Sequence, residues 1–212
     1  MKQHINLATW NRQEHFTFFS SFEEPFFGLV TEVNAVRAYA RAKELGISFF
    51  QVYLHATLRS ANEIEAFRYR IEDGEVYCYD VIHASATLTR PDTTFGFSRI
   101  PYVPSVLEFG AGLAAETEAV RATPGLRLNQ ETGRPDVIHF SAIPWSSFTG
   151  LTHARAFRHP DSVPKISVGR ARRQAEALWL PVAVNVHHGL ADGYHVGLFL
   201  DALQQALDSV GE

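Results

Sequence analysis

Val184-Asn185-Val186-His187-His188-Gly189-Leu190-Ala191-Asp192-Gly193-Tyr194-His195 joins the longest apolar run of the chain to its last amphipathic segment. Residues 178–186 read as a buried β-strand. Residues 193–209 carry Val196, Leu198, Phe199, Leu203 and Leu207 at positions able to pack one helix face. Between them, His188 and Asp192 form an H-x-x-x-D-G pattern on a strand-to-helix turn. A histidine there can serve as a general base, and the acid and the tight glycine turn can hold the structure that aims it.

Upstream of this junction, residues 137–143 read as a second buried strand, ending at Pro144-Trp145. Segments 152–157 and 165–172 alternate like strands, as do 84–88 and 93–100. Residues 67–71 and 75–79, joined at Asp73-Gly74, carry a β-hairpin signal. Pro104 opens a helix over about 105–121. Asn34 is placed to cap a helix running to Leu45 with Gly46 as its C-cap, and Ser48 to cap the next one. Near the N-terminus, Trp10 to Glu14 can form a helical turn with Arg12 pointing toward the core. Phe16, Phe18 and Phe19 then start a strand-like alternation, residues 20–27 read as a loop, and 29–33 as a strand. Helices interspersed with mostly hairpin-like strands imply an α/β two-layer sandwich, a mixed sheet covered by helices on one side. The length of 212 residues suits one domain spanning 1–212.

Composition narrows the function classes. Hydrophobic residues make up 46% and charged residues 20%, the balance of an ordinary globular chain. The net charge of −4 and the lack of a long basic run argue against nucleic acid as the main partner, although Arg170-Ala171-Arg172-Arg173 leaves a small phosphorylated ligand open. The N-terminus lacks the apolar core of a signal peptide, and no window reaches the ~18 apolar residues of a membrane span. With a lone cysteine, Cys78, this points to a cytoplasmic protein without a disulfide framework or membrane association. No G-x-G-x-x-G or Walker loop is present. Among the sixteen phenylalanines, some can line a ligand pocket or a subunit interface as readily as a core.

The chemistry centres on His188. A metal site lacks further His, Cys or Glu ligands at a recognisable spacing, and a nucleophilic triad lacks a G-x-S-x-G turn. What remains is a histidine base acting on an acceptor hydroxyl, with a separate donor for an oxyanion. Ser141, after the apolar Val137-Ile138 pair, is a candidate donor, although by its surroundings alone it reads better as an ordinary strand serine.

Three stretches of the chain carry a family resemblance. Residues 187–195 resemble the H-H-x-x-x-D-G-(aromatic)-H signature of the non-hexapeptide chloramphenicol acetyltransferases. Trp10-Asn11-Arg12-Gln13-Glu14-His15-Phe16 is similar to the family's W-x-R-x-E-H-F, and Ser141-Ala142-Ile143-Pro144-Trp145 to its S-A-x-P-W. H-x-x-x-D-G alone marks a broader set of CoA-dependent acyltransferases; the three motifs together are much more specific.

The resemblance implies a CoA-dependent acyltransferase fold and a homotrimer with active sites at subunit interfaces. It implies acetyl-CoA as co-substrate, no metal, and chloramphenicol as the leading acceptor. His188 would be the base in a ternary complex and Ser141 the oxyanion donor, with Asp192 and Arg12 as a structural brace. The implied substrate-binding residues are Phe18, Phe19, Phe95, His139 and Ser167. Several positions depart from the pattern. Phe19 stands where members carry a tyrosine, Ser167 where a threonine is expected, and His139 where an asparagine is expected. Phe97 is bulkier than usual, and the loop 21–26 carries two acids, Glu23 and Glu24, where the family is more apolar or basic. These departures leave another hydroxylated or amine acceptor open, and, as a third reading, a non-catalytic trimeric binding protein of the same fold.

Overall fold

The computed structural model describes residues 1–156 and 161–211. Its elements in chain order are β1 (Lys2–His4), α1 (Gln13–Ser20), β2 (Phe26–Asn34), α2 (Val36–Leu45), α3 (Phe49–Glu63), β3 (Tyr69–Glu72), β4 (Glu75–Tyr79), β5 (His83–Thr89), β6 (Phe95–Phe97), α4 (Val106–Ala122), β7 (Val137–Ile143), β8 (Lys165–Gly169), β9 (Arg172–Gln174), β10 (Ala177–His187) and α5 (Gly193–Asp208). The main sheet runs β2-β10-β8-β7-β5-β6, with β9 paired to β10, and β1-β4-β3 form a separate small sheet.

The apolar run read as a strand is β10. It lies between β2 and β8 and is antiparallel to both. Val182, Ala183 and Val184 are fully buried, which is why consecutive positions, rather than alternate ones, are apolar. Along β7 and β8 the helix-facing positions are Ile138, Phe140, Ile166 and Val168. They join one core with Leu54 and Leu58 of α3 and Phe199 and Leu203 of α5. Each such side chain contributes roughly 1.5–3 kcal/mol on burial. The register puts Ser85, His139, Ser141, Lys165, Ser167 and Asn185 on the opposite face. The sheet is therefore mixed and has its helices on one side, as expected.

Several local expectations need correction. Phe16, Phe18 and Phe19 lie on the helix α1, not on a strand. Phe18 and Phe22 meet with ring centroids 5.0 Å apart, and Phe19 and Phe22 at 5.4 Å, which is i,i+4 and i,i+3 spacing carried past the helix end. The strand expected at 29–33 begins earlier, at Phe26. Asn34 ends that strand and Ala35 is the N-cap of α2, although the Asn34 side chain still accepts from the Val36 and Leu178 amides. Of the strand expected at 93–100, only Phe95–Phe97 forms, with one isolated bridge from Ile100 to Ala84. Residues 152–156 carry no regular structure, and Phe157 lies outside the described residues. The segment 165–172 divides into β8 and the start of β9. Pairing is also less hairpin-like than expected, since β5, β7 and β8 run parallel.

The Asp73-Gly74 turn does close the β3–β4 hairpin, both residues adopting positive φ (52° and 82°) as a two-residue turn of this hand requires. Ser48 and Ser105 cap α3 and α4 through their side chains. The fully buried Arg70 of β3 anchors the small sheet to β7. Its guanidinium donates to the carbonyls of Phe67, Tyr69, Pro135 and Val137, and burial lowers its pKa to about 10.

Candidate active site

β10 ends at His187, and the next residue, His188, is held by its backbone. Its amide donates to the Pro25 carbonyl at 2.8 Å, and its carbonyl accepts from Arg12 Nη2 at 3.3 Å. Gly189 then turns the chain under α1. A Cβ on it would lie 3.1 Å from His187 Cε1 and 3.2 Å from Phe16 Cα, so this turn has little room for a side chain. His187 is buried, accepts the Gly189 amide at Nδ1 (3.2 Å), and packs edge-on against Phe26. Burial, and then the nearby Arg155 charge, lower its pKa to about 4, so it stays neutral near pH 7.

The His188 ring is fixed by aromatics. Phe19 stacks on it with centroids 4.0 Å apart and planes 8° from parallel, and Phe27 lies on it at 4.5 Å and 41°. Its Nδ1 is buried without a hydrogen-bond partner among the described residues, leaving Nε2 as the nitrogen for a ligand. Phe27 was not among the expected site residues. Its signal lay in the pairing, which sets Phe27 opposite Val186, two residues before His188.

Asp192 begins α5. Its side chain accepts from the Tyr194 amide at 3.0 Å, from Arg12 Nη1 at 2.7 Å, and lies 2.8 Å from His195 Nδ1. His195 completes a capping box with the Asp192 backbone. Partial burial works against ionisation of Asp192, but the hydrogen bonds from Arg12 and His195 outweigh it and hold the carboxyl well below the usual range. Arg12, which precedes α1, therefore ties three pieces together: the end of β10, the cap of α5 and its own helix.

The hydroxyl residues lie elsewhere. Ser141 of β7 pairs with Ser167 of β8, which pairs with Ala183 of β10. The Ser167 hydroxyl is buried without a partner among the described residues. His139, beside Lys165 in the register, is exposed in the single chain. Phe95 is 43% exposed on β6 at the far edge of the sheet, while Phe18 is 59% exposed on α1 near His188. From Ser141 to His188 the path is two strand spacings across and five residues along. That places their Cα atoms roughly 19 Å apart. Within one chain, His188, Arg12, Asp192 and Phe19 thus form one group, with Phe18 against Phe19 beside it. Ser141, Ser167 and His139 form another on the sheet face, with Phe95 at its distant edge. His188 and Ser141 of the same copy therefore do not meet.

A cleft of about 360 Å³ lined by Val52, His55, Arg59 and Leu107 contains none of these residues. Among the described residues, no three His, Cys, Asp or Glu side chains gather as a metal-binding group. No described helix is long and apolar enough to cross a membrane.

A profile of the chloramphenicol acetyltransferase family matches residues 2–204. Chloramphenicol acetyltransferase 2 of Escherichia coli is 28% identical over 208 residues, covering 97% of each chain. A solved chloramphenicol acetyltransferase superposes with a TM-score of 0.91 at 34% identity, covering 98% of this chain and all of that one. A probable dihydrolipoamide acetyltransferase from Listeria monocytogenes shares the fold, with a TM-score of 0.69 at 15% identity over 98% of this chain and 94% of its own. With a family profile spanning residues 2–204 and a solved member superposing over nearly the whole chain, the chain belongs to the chloramphenicol acetyltransferase family of acyltransferase enzymes.

Proposed function

We propose that this chain transfers an acetyl group from acetyl-CoA to a hydroxyl of chloramphenicol. It would do so as a single domain over residues 1–212, assembled as a homotrimer in the cytoplasm. His188 of one copy faces Ser141 of the next. The observation that carries this reading is the separation of His188 from Ser141 within one chain. A base and an oxyanion donor serving one reacting carbonyl must lie within a few ångströms of it, and a second copy is the way to bring them together.

In this site, His188 takes the acceptor's hydroxyl proton on Nε2 as that oxygen bonds to the thioester carbon. Ser141 donates a hydrogen bond to the oxygen that gains negative charge, and Ser167 lends a second polar group beside it. When the carbon–sulfur bond breaks, His188 returns its proton to the departing thiolate. No acyl group is carried by the protein. The unpartnered Ser167 hydroxyl is a polar atom that suits a polar ligand. Arg12 and Asp192 do not touch the reacting atoms; they hold the backbone of His188.

Two measurements test this. Thiol release from acetyl-CoA should require chloramphenicol, and no release at any drug concentration sinks the acceptor. Inactive His188→Ala and Ser141→Ala chains, mixed and reassembled, should regain about a quarter of wild-type activity, because about one interface in four then joins an intact half from each. Mixtures that stay inactive refute the shared site. An acceptor panel covers the other reading, favoured by the wholly apolar wall of Phe18, Phe19 and Phe22: a less polar alcohol or an amine turned over faster than chloramphenicol.

A further inference from the structure

One of the two acids in the loop at residues 21–26, Glu24, has a partner far along the chain, Arg155. Glu24 forms an ion pair with Arg155, and its Oε1 also accepts the Phe26 amide at 3.0 Å. The Arg155 guanidinium lies 3.7 Å from the centre of the Phe26 ring, and Lys165 Nζ lies 4.6 Å from the same centre. Lys165 is itself paired with Asp161. Phe26 is therefore flanked by two cations, each paired with a carboxylate. Cations against an aromatic face attract it, more so where water is thin, and the Arg155 side chain is only 12% exposed.

This cluster leads straight to the histidines. Phe26 stands opposite His187 in the β2–β10 ladder, with ring centroids 5.7 Å apart at 76°. Pro25, next to Glu24, supplies the carbonyl that holds the His188 amide. A loop clamped at Glu24 keeps that carbonyl in place; a loop released there lets the turn carrying His188 shift. We propose that Arg155 and Glu24 are a positioning pair for His188. Arg155 holds the loop by charge at Glu24 and by ring contact at Phe26, and neither residue touches a substrate. This rests on the reading of His188 as the base.

The experiment measures two quantities on the full chain: amide hydrogen exchange at residues 186–190, and kcat with KM for both substrates. The variants are Arg155→Met, the near-isosteric Glu24→Gln, and the exchanged pair Glu24→Arg with Arg155→Glu. Arg155→Met and Glu24→Gln should each speed exchange at the His188 amide about tenfold and lower kcat by about ten- to a hundredfold, with KM for acetyl-CoA unchanged. The exchanged pair should recover part of both. Exchange and kcat within twofold of wild type in both single variants overturn the pair, as does a loss spread evenly over all peptides, which marks general destabilisation. Wild type without thiol release, combined with faster His188 exchange in Arg155→Met, overturns the proposed reaction and leaves the positioning pair standing.

Discussion

Replacing Arg12 with Met removes one ion from a pair that links residues 180 positions apart. The Arg12 side chain is 11% exposed and Asp192 30% exposed. Breaking a buried pair on one side typically costs ~3–5 kcal/mol, and a single hydrogen bond to a charged group is worth about 1.5–3 kcal/mol. Asp192 keeps the Tyr194 amide and His195, and water reaches it in part, so the lower end of these ranges applies. Arg12→Met should therefore destabilise by roughly 2–3 kcal/mol. For a chain of this length that lowers Tm by about 4–12 °C. Asp192→Asn and the double variant complete a cycle, whose coupling should be about 1–2 kcal/mol. The same change also removes the Arg12 bond to the His188 carbonyl, so kcat should fall about ten- to a hundredfold while KM for acetyl-CoA stays near wild type. Denaturant unfolding of the four proteins and steady-state kinetics supply the numbers. A coupling below about 0.5 kcal/mol, or Arg12→Met with unchanged kcat, would show that the 2.7 Å contact braces nothing.

Ser141→Ala should lower kcat by about a hundred- to a thousandfold with little change in KM; a raised KM at constant kcat would assign Ser141 to binding instead. His187 has a folded pKa lowered to about 4 from the ordinary 6.5. Its contribution is thus fully present above pH 6.5 and is lost as pH falls toward 4, and His187→Gln should flatten that part of the stability profile measured by urea unfolding. Asp192 is likewise depressed, so its stabilisation is present above its ordinary value of 3.8 and fades only below it; Asp192→Asn should lose that most acidic slope and leave the His187 window intact. Arg70→Met should cost roughly 3 kcal/mol or more, since it removes the hydrogen bonds that one buried guanidinium donates to the carbonyls of Phe67, Tyr69, Pro135 and Val137. A Tm within 2 °C of wild type would contradict that anchoring role.

Much of the architecture was readable before any coordinates. The strand at 178–186 and the helix at 193–209 rest on continuous burial and on helical periodicity, both local properties of the chain. The Asp73-Gly74 hairpin rests on turn chemistry, the α3 start on the capping serine at 48, and the α4 start on Pro104. The phenylalanines at 16, 18 and 19 misled because short runs fit a period of two as well as a period of three to four. The parallel pairing of β5, β7 and β8 was not legible, since it depends on which strands meet across long connections.

The sequence by itself determined the strand–turn–helix around His188 and Asp192. It also determined, through three co-linear motifs, the family resemblance and the Arg12–Asp192 brace that the resemblance implies. Only the tertiary structure decided that Arg12 also reaches the His188 carbonyl, that Phe19 and Phe27 hold the imidazole, and that Ser141 stands roughly 19 Å from His188 on another part of the sheet. The physical reason is the same in each case. Propensity, periodicity and capping act over a few neighbouring residues. Ion pairs, ring stacks and strand register act between segments that chain connectivity leaves far apart and only packing brings into range.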